Sequence, residues 1–148
     1  MKKKAKKVGL TARQLVNFTP RIVKYRGGFV SLNSRIKKQY IKKPNGFRTL
    51  GYKSETITRI LGEKPRLHYQ TIELVKGKRV SDKGATIKVS CDCGFHTFTC
   101  EVALFRQGAA DIITSNGEYP YIRNPRAIPL VCKHLLVVIT NILKRGTK

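Results

Sequence analysis

The chain has no tryptophan, a single methionine and only eight acidic residues in 148. With apolar residues at 41%, the first two shortages argue against a large hydrophobic core. The third leaves little for carboxylate chemistry: no paired carboxylates stand with supporting histidines. A Walker-type phosphate loop and a G-x-S-x-G elbow are also missing, as is the His-x-Glu with Pro-Cys-x-x-Cys of a zinc deaminase. A protein that is not an enzyme, with no small-molecule substrate, is expected. Long apolar runs are absent too. The longest is the short stripe after His134, so no membrane-spanning segment is expected. The opening residues carry no secretory signal pattern, and the composition is lysine-rich without being cysteine-dense.

What the chain has is positive charge. Its 31 Lys and Arg give a formal net charge of +23, which in a compact monomer repels itself and calls for a polyanionic partner. Nucleic acid is the first candidate and an anionic membrane surface the second; the expectation taken is nucleic acid, DNA above RNA, and no membrane. Residues 1–66 hold 19 Lys and Arg against Glu55 and Glu63, and residues 67–148 hold 12 against six acids. The division expected is therefore a basic N-terminal region, 1–66, and a module at 67–148 that carries most of the core.

Within the basic region, Lys2, Lys3, Lys4, Lys6 and Lys7 form a run without apolar periodicity, read as an arm that contacts phosphates and otherwise as a solvated tail. Thr11 caps an expected short helix that ends before Pro20. Between Phe29 and Lys43, apolar residues interleave with Arg35, Lys37, Lys38, Lys42 and Lys43, which join the arm as expected nucleic-acid contacts; Ser34 is read as the cap of a short helix here. Pro44-Asn45-Gly46 signals a turn. Tyr40, Phe47 and Tyr52 are read as a small local core rather than as stacking platforms for bases. Ser54 to Leu61 reads as another short helix, with Gly62 after its last turn. No regular recognition helix follows, so no helix-turn-helix reader is assigned.

From Arg66 the pattern turns to strands: 67–75, then Thr86–Ser90 with alternating character, then 95–105 as a third. Two short clusters punctuate this half. Cys91 and Cys93, at the end of a strand, share one face because strand side chains alternate. Cys132 and His134 stand just before an apolar helical stripe (Leu135, Leu136, Val138, Ile139, Ile142, Leu143), where the positive end of the helix favours thiolate. Three thiols and an imidazole in two close pairs suit a tetrahedral Zn2+, with four protein ligands closing the sphere. The alternatives are two disulfides in a secreted protein or buried free thiols. Cys100 is read as a small buried hydrophobe. His68 and His96 are read as strand residues, either able to stand in for a ligand if the register differs.

Cys91-Asp92-Cys93 followed by Cys132-Lys133-His134 resembles the SWIM-type zinc finger, Cys-x-Cys then Cys-x-His, across a 38-residue spacer with structure of its own. The resemblance implies Cys91, Cys93, Cys132 and His134 as ligands and an association with DNA or protein partners. Asn116-Gly117, then Asn124-Pro125-Arg126 and the CKHL stretch, resemble small virion proteins of tailed bacteriophages. Together these give an α+β expectation: a small antiparallel sheet with a C-terminal helix pinned by zinc, after a basic region with short helices. The functional expectation is a minor virion component that binds nucleic acid and neighbouring structural proteins of the assembly. The alternative is a cytoplasmic, nucleoid-associated DNA- or RNA-binding accessory protein.

Overall fold

The structure, a computed structural model, describes residues 9–19, 30–43, 46–60 and 62–146. The lysine run at 2–7 lies outside the described residues.

A five-stranded antiparallel sheet has the order β1-β5-β4-β3-β2. Its strands are β1 (Leu10–Thr11), β2 (Val30–Lys42), β3 (Arg48–Ile60), β4 (Arg66–Lys76) and β5 (Thr86–Cys91). Helix α1 (Ala12–Phe18) follows β1. A π-helical turn (His96–Cys100) runs directly into α2 (Glu101–Arg106), and α3 (Lys133–Gly146) closes the described chain. The α+β architecture and the C-terminal helix match the sequence expectation, and α3 packs on α1 and on β2, β4 and β5.

Helix α1 is capped as expected. Thr11 Oγ1 accepts from the Gln14 amide at 3.2 Å, while the Thr11 amide donates to Gln14 Oε1 at 2.8 Å, a reciprocal capping box. Leu15 and Ala12 bury its inner side, and Thr19 Oγ1 both donates to Leu15 O and accepts from the Val131 amide.

Three expectations of secondary structure fail, and of the local core expected from Tyr40, Phe47 and Tyr52 only Tyr52 packs on the core, the other two rings being exposed. The helix expected from Ser34 lies inside β2, and Ser54–Leu61 falls largely within β3; the two strands pair continuously from Val30↔Ile60 to Lys42↔Arg48. In β3, Ser54, Thr56 and Thr58 are buried while Lys53, Glu55 and Arg59 are exposed, which is strand alternation written with hydroxyls instead of apolar residues. The third correction concerns 95–105, which is helical. Cys93 O accepts from the Thr97 amide at 3.1 Å, and Cys93 Sγ from the His96 amide at 3.4 Å, so the chain turns into helix immediately after the first cysteine pair. Strand β3 pairs with β4 from Gly51↔Glu73 to Thr58↔Arg66, so the sheet continues across residue 66.

The core lies between the inner sheet face and the helices, with Ile72, Ile87, Val89, Leu104, Val131, Leu135 and Ile139 nearly or fully enclosed. Gly51 is required by a close approach, since a Cβ there would stand 2.1 Å from Ile72 O and 2.7 Å from the Ile41 side chain. No helix among the described residues is long and apolar enough to cross a membrane.

Candidate metal centre

Strand β5 delivers Cys91 to the inner face of the sheet, and the turn that follows carries Cys93 to the start of the π-helical turn. Cys132, immediately before α3, and His134, in its first turn, supply the other pair. One ligand atom from each of Cys91, Cys93, Cys132 and His134 lies within 4.8 Å of the other three, and all four residues are buried. These are the four residues read from the sequence, and the structure brings them together as a set that could hold a metal ion. Cys91 Sγ stands 3.9 Å from His134 Nδ1, against about 3.5 Å between a thiolate and an imidazole on one tetrahedral zinc.

Both cysteine pairs meet a helix in the same way. The His96 amide donates to Cys93 Sγ at 3.4 Å, and the Leu135 amide donates to Cys132 Sγ at 3.5 Å, each from three residues further along. Sulfur here takes the N-cap role of a hydroxyl, and the orphan amides at each helix start favour a thiolate.

The remaining two members are oriented by the sheet. Register places Ile36, Ser54, Gln70 and Cys91 in one row across β2, β3, β4 and β5. Gln70 Oε1 accepts from Ser54 Oγ at 2.8 Å and Thr56 Oγ1 at 2.7 Å, leaving Nε2 to donate to Cys91 Sγ at 3.6 Å. His134 Nε2 lies 3.0 Å from Thr58 Oγ1. With the proton on Nε2, the imidazole is held by Thr58 and presents Nδ1 to the cluster, the outer-sphere arrangement that fixes a histidine ligand's tautomer.

Three thiols in so small a space cannot ionise independently. Hydrogen bonds from Cys132 and Cys91 hold Cys93 far below the ordinary thiol value. Burial first, then hydrogen bonds to Cys91 and Cys93, push Cys132 well above it. Cys91 is drawn down by its hydrogen bond with Cys132, but Cys93 and burial outweigh this and push it up to about 12. The three thiols titrate as one coupled set, and a cation held by the cluster would supply the attraction that lets all three ionise together.

Cys100 is fully buried and stands outside the cluster. Burial, then the charges of Cys93 and Cys91, push its thiol well above the ordinary value. Neither His68 nor His96 joins the four. The His68 ring packs 4.6 Å from that of His134, with its Nδ1 3.0 Å from Asp92 Oδ1. His96, fully buried, places its Nε2 3.5 Å from Glu101 Oε2. Sequence reading did not find the supporting residues Ser54, Thr56, Thr58 and Gln70. The only signal was polar residues at every second position, and that is legible only once the segment is known to be a strand.

Glu101 is a second residue that sequence reading missed. Its carboxylate is buried and accepts from the amides of Ile113, Thr114 and Ser115 and the hydroxyls of Thr114 and Ser115, at 2.8–3.1 Å. Burial alone raises a carboxyl's pKa, but the neighbouring His96 and these donors outweigh it and hold Glu101 well below the usual carboxylate range. The same stretch is closed by buried Asn124, which bonds Thr99 O, Ile128 O and the Ile128 amide.

The cations expected to contact nucleic acid divide. Arg35 and Lys37 lie on the outer face of β2, and Lys38 and Lys42 alternate to its other side; all four are exposed. Lys43 is half-buried, 2.6 Å from Glu73 and 3.5 Å from Asp111, which also pairs with Lys88 at 2.9 Å. It braces β2 against the rest of the fold. Comparison with protein-family models, with curated proteins and with solved structures gives no match.

Proposed function

We propose that Cys91, Cys93, Cys132 and His134 hold one structural Zn2+, and that the protein is a non-enzymatic, basic, zinc-stabilised protein that binds nucleic acid. The observation that carries the metal reading is the buried cluster of four donor atoms, all within 4.8 Å of one another. Three sulfurs and one imidazole nitrogen are the donor set of structural zinc sites, and four protein ligands leave no open position for substrate. The supports from Gln70, Thr58 and the two helix starts favour a fixed geometry over an exchangeable one. The metal's role is mechanical: it ties the end of β5 to the start of α3.

A net charge of +23 supports a polyanionic partner, with affinity governed by phosphate contacts and falling steeply with salt. The resemblance of the 116–135 region to tailed-phage virion proteins favours a place in a particle, against packaged DNA and neighbouring structural proteins. A virion component is stoichiometric in purified particles, whereas the regulatory alternative is found free and bound to cellular nucleic acid.

The deciding experiment measures metal content by elemental mass spectrometry and counts thiols before and after chelation. One zinc per chain, with three thiols unmasked only by the chelator, is expected. No metal and no reactive thiols would overturn the reading in favour of disulfides.

A further inference from the structure

The outer face of the sheet carries cations that make no ion pair among the described residues. Register puts Arg35, Glu55 and Tyr69 in one row across β2, β3 and β4, and Lys37, Lys53 and Thr71 in the next. These six residues line an open groove of about 510 Å³. Lys37 and Lys53 are directly opposed on neighbouring strands, an arrangement that destabilises a sheet. Neither they nor Arg35 make an ion pair among the described residues, and Glu55 is the one acid in the groove lining. Tyr69, 52% exposed, presents an aromatic ring at the third strand. Its position is fixed from the metal side: the Tyr69 amide donates to Asp92 Oδ1 at 3.0 Å, and the Asp92 amide donates back to Tyr69 O at 3.2 Å.

We propose that this groove binds single-stranded nucleic acid, with phosphates on Arg35, Lys37 and Lys53 and a base stacked on Tyr69. The proposal rests on the nucleic-acid reading above and gives it a surface and a strand state. Strands in a sheet lie about 4.8 Å apart and residues on one face repeat about every 6.8 Å along a strand, so the backbone at Tyr69 stands roughly 8–12 Å from that of the three cations, whose long side chains shorten the gap. A nucleotide spans that interval from phosphate to base. In a duplex the bases face each other and cannot reach Tyr69, whereas a single strand offers phosphate and base face together. An acidic polypeptide would satisfy the cations but has no use for the exposed ring.

The test is fluorescence anisotropy of the full, metal-replete chain with a short labelled oligothymidylate and with a labelled duplex, over a range of salt. Metal content and thermal unfolding of each variant check that the fold is kept. Tyr69→Ala is expected to weaken single-strand binding about ten-fold and duplex binding hardly at all, and Tyr69→Phe to retain affinity. The double variant Lys37→Gln/Lys53→Gln is expected to reduce the slope of log affinity against log salt by about 1.4, at about 0.7 per phosphate contact. If the wild type binds and these folded variants bind as it does, the groove assignment is overturned and the broader nucleic-acid reading stands. If the wild type binds neither oligonucleotide even at low salt, both fall. Competition by polyglutamate that is lost in the double variant, with Tyr69→Ala neutral, would also overturn the proposal, in favour of an acidic protein partner.

Discussion

The two faces of the β2–β3–β4 sheet are built from neighbouring residues with opposite fates. On the inner face, Ser54 and Gln70 form a closed hydrogen-bonded row that ends on Cys91. On the outer face, their immediate neighbours Lys53 and Tyr69 stand open to solvent, and Lys53 faces another cation. Both faces are polar, but the inner row is tied together by hydrogen bonds while Lys37 and Lys53 make no ion pair among the described residues. A hydrogen-bonded polar row rigidifies a site, whereas unpaired like charges leave interaction free for a partner. The strand period of two keeps these roles one residue apart without mixing them.

The largest effect that can break this contrast comes from removing a ligand. Cys132→Ser is expected to abolish metal binding and unfold the C-terminal half, because structural zinc contributes roughly 10–16 kcal/mol in small zinc-dependent folds. Cys100→Ser, at an equally buried position outside the cluster, is expected to keep its metal. Elemental analysis with hydrogen exchange reads both. Metal retained in the first variant and lost in the second would reassign the ligands.

Next in size is Glu101, which belongs to the closed side. Its folded pKa lies below the unfolded value of about 4.3, so its stabilisation is fully present above that pH. It is lost as pH falls through the unfolded value towards the lower folded one. Glu101→Gln is expected to cost about 3 kcal/mol at neutral pH, since five donors lose a charged acceptor. The variant should also show a flatter stability profile below pH 4.3. Denaturant unfolding from neutral to acid pH checks this, and a profile parallel to the wild type would remove Glu101 as a source of acid lability.

Smaller again is the outer support of His134. Thr58→Val keeps the shape of the side chain but removes the Nε2 partner, and is expected to lower metal affinity 10- to 100-fold with the fold retained at saturating metal. Competition with a chromophoric chelator measures it. An unchanged affinity would show that the imidazole is oriented by packing alone.

The same contrast explains what could be read from the chain in advance. The cluster of Cys91, Cys93, Cys132 and His134 was legible because metal chemistry restricts residue type and spacing together. Helices α1 and α3 were legible because Thr11 is a capping residue at the head of a helical stretch and the stripe from Leu135 keeps a helical period. Strands β2 and β3 were not. The inner positions of β3 are Ser54, Thr56 and Thr58, hydroxyls buried to serve Gln70 and His134, so no hydrophobic alternation marks that strand or its pairing with β2. Segment 95–105 misled in the opposite direction. Phe95 to Cys100 alternates like a strand, yet the sulfur of Cys93 caps a helix there, and nothing in the local residue pattern announces a cysteine as a cap. Local rules failed where residues were committed to the site rather than to their own element.

The smallest expected effect is the most direct comparison of the two faces. If Lys53 is kept opposite Lys37 for a partner and not for the fold, Lys53→Gln should stabilise the free protein while weakening single-strand binding. A like-charged cross-strand pair costs on the order of 0.2–1 kcal/mol, and because both side chains are exposed the gain should be largest at low salt and fade as salt screens the pair. Ser54→Ala, one residue away on the inner face, should do the reverse, destabilising the fold by about 1 kcal/mol and leaving oligonucleotide binding unchanged. Denaturant midpoints at low and high salt, measured beside anisotropy for both variants, give four signs to compare. A stability loss in Lys53→Gln would mean that its long side chain supports the sheet, and the outer face would then be structural in the same sense as the inner one.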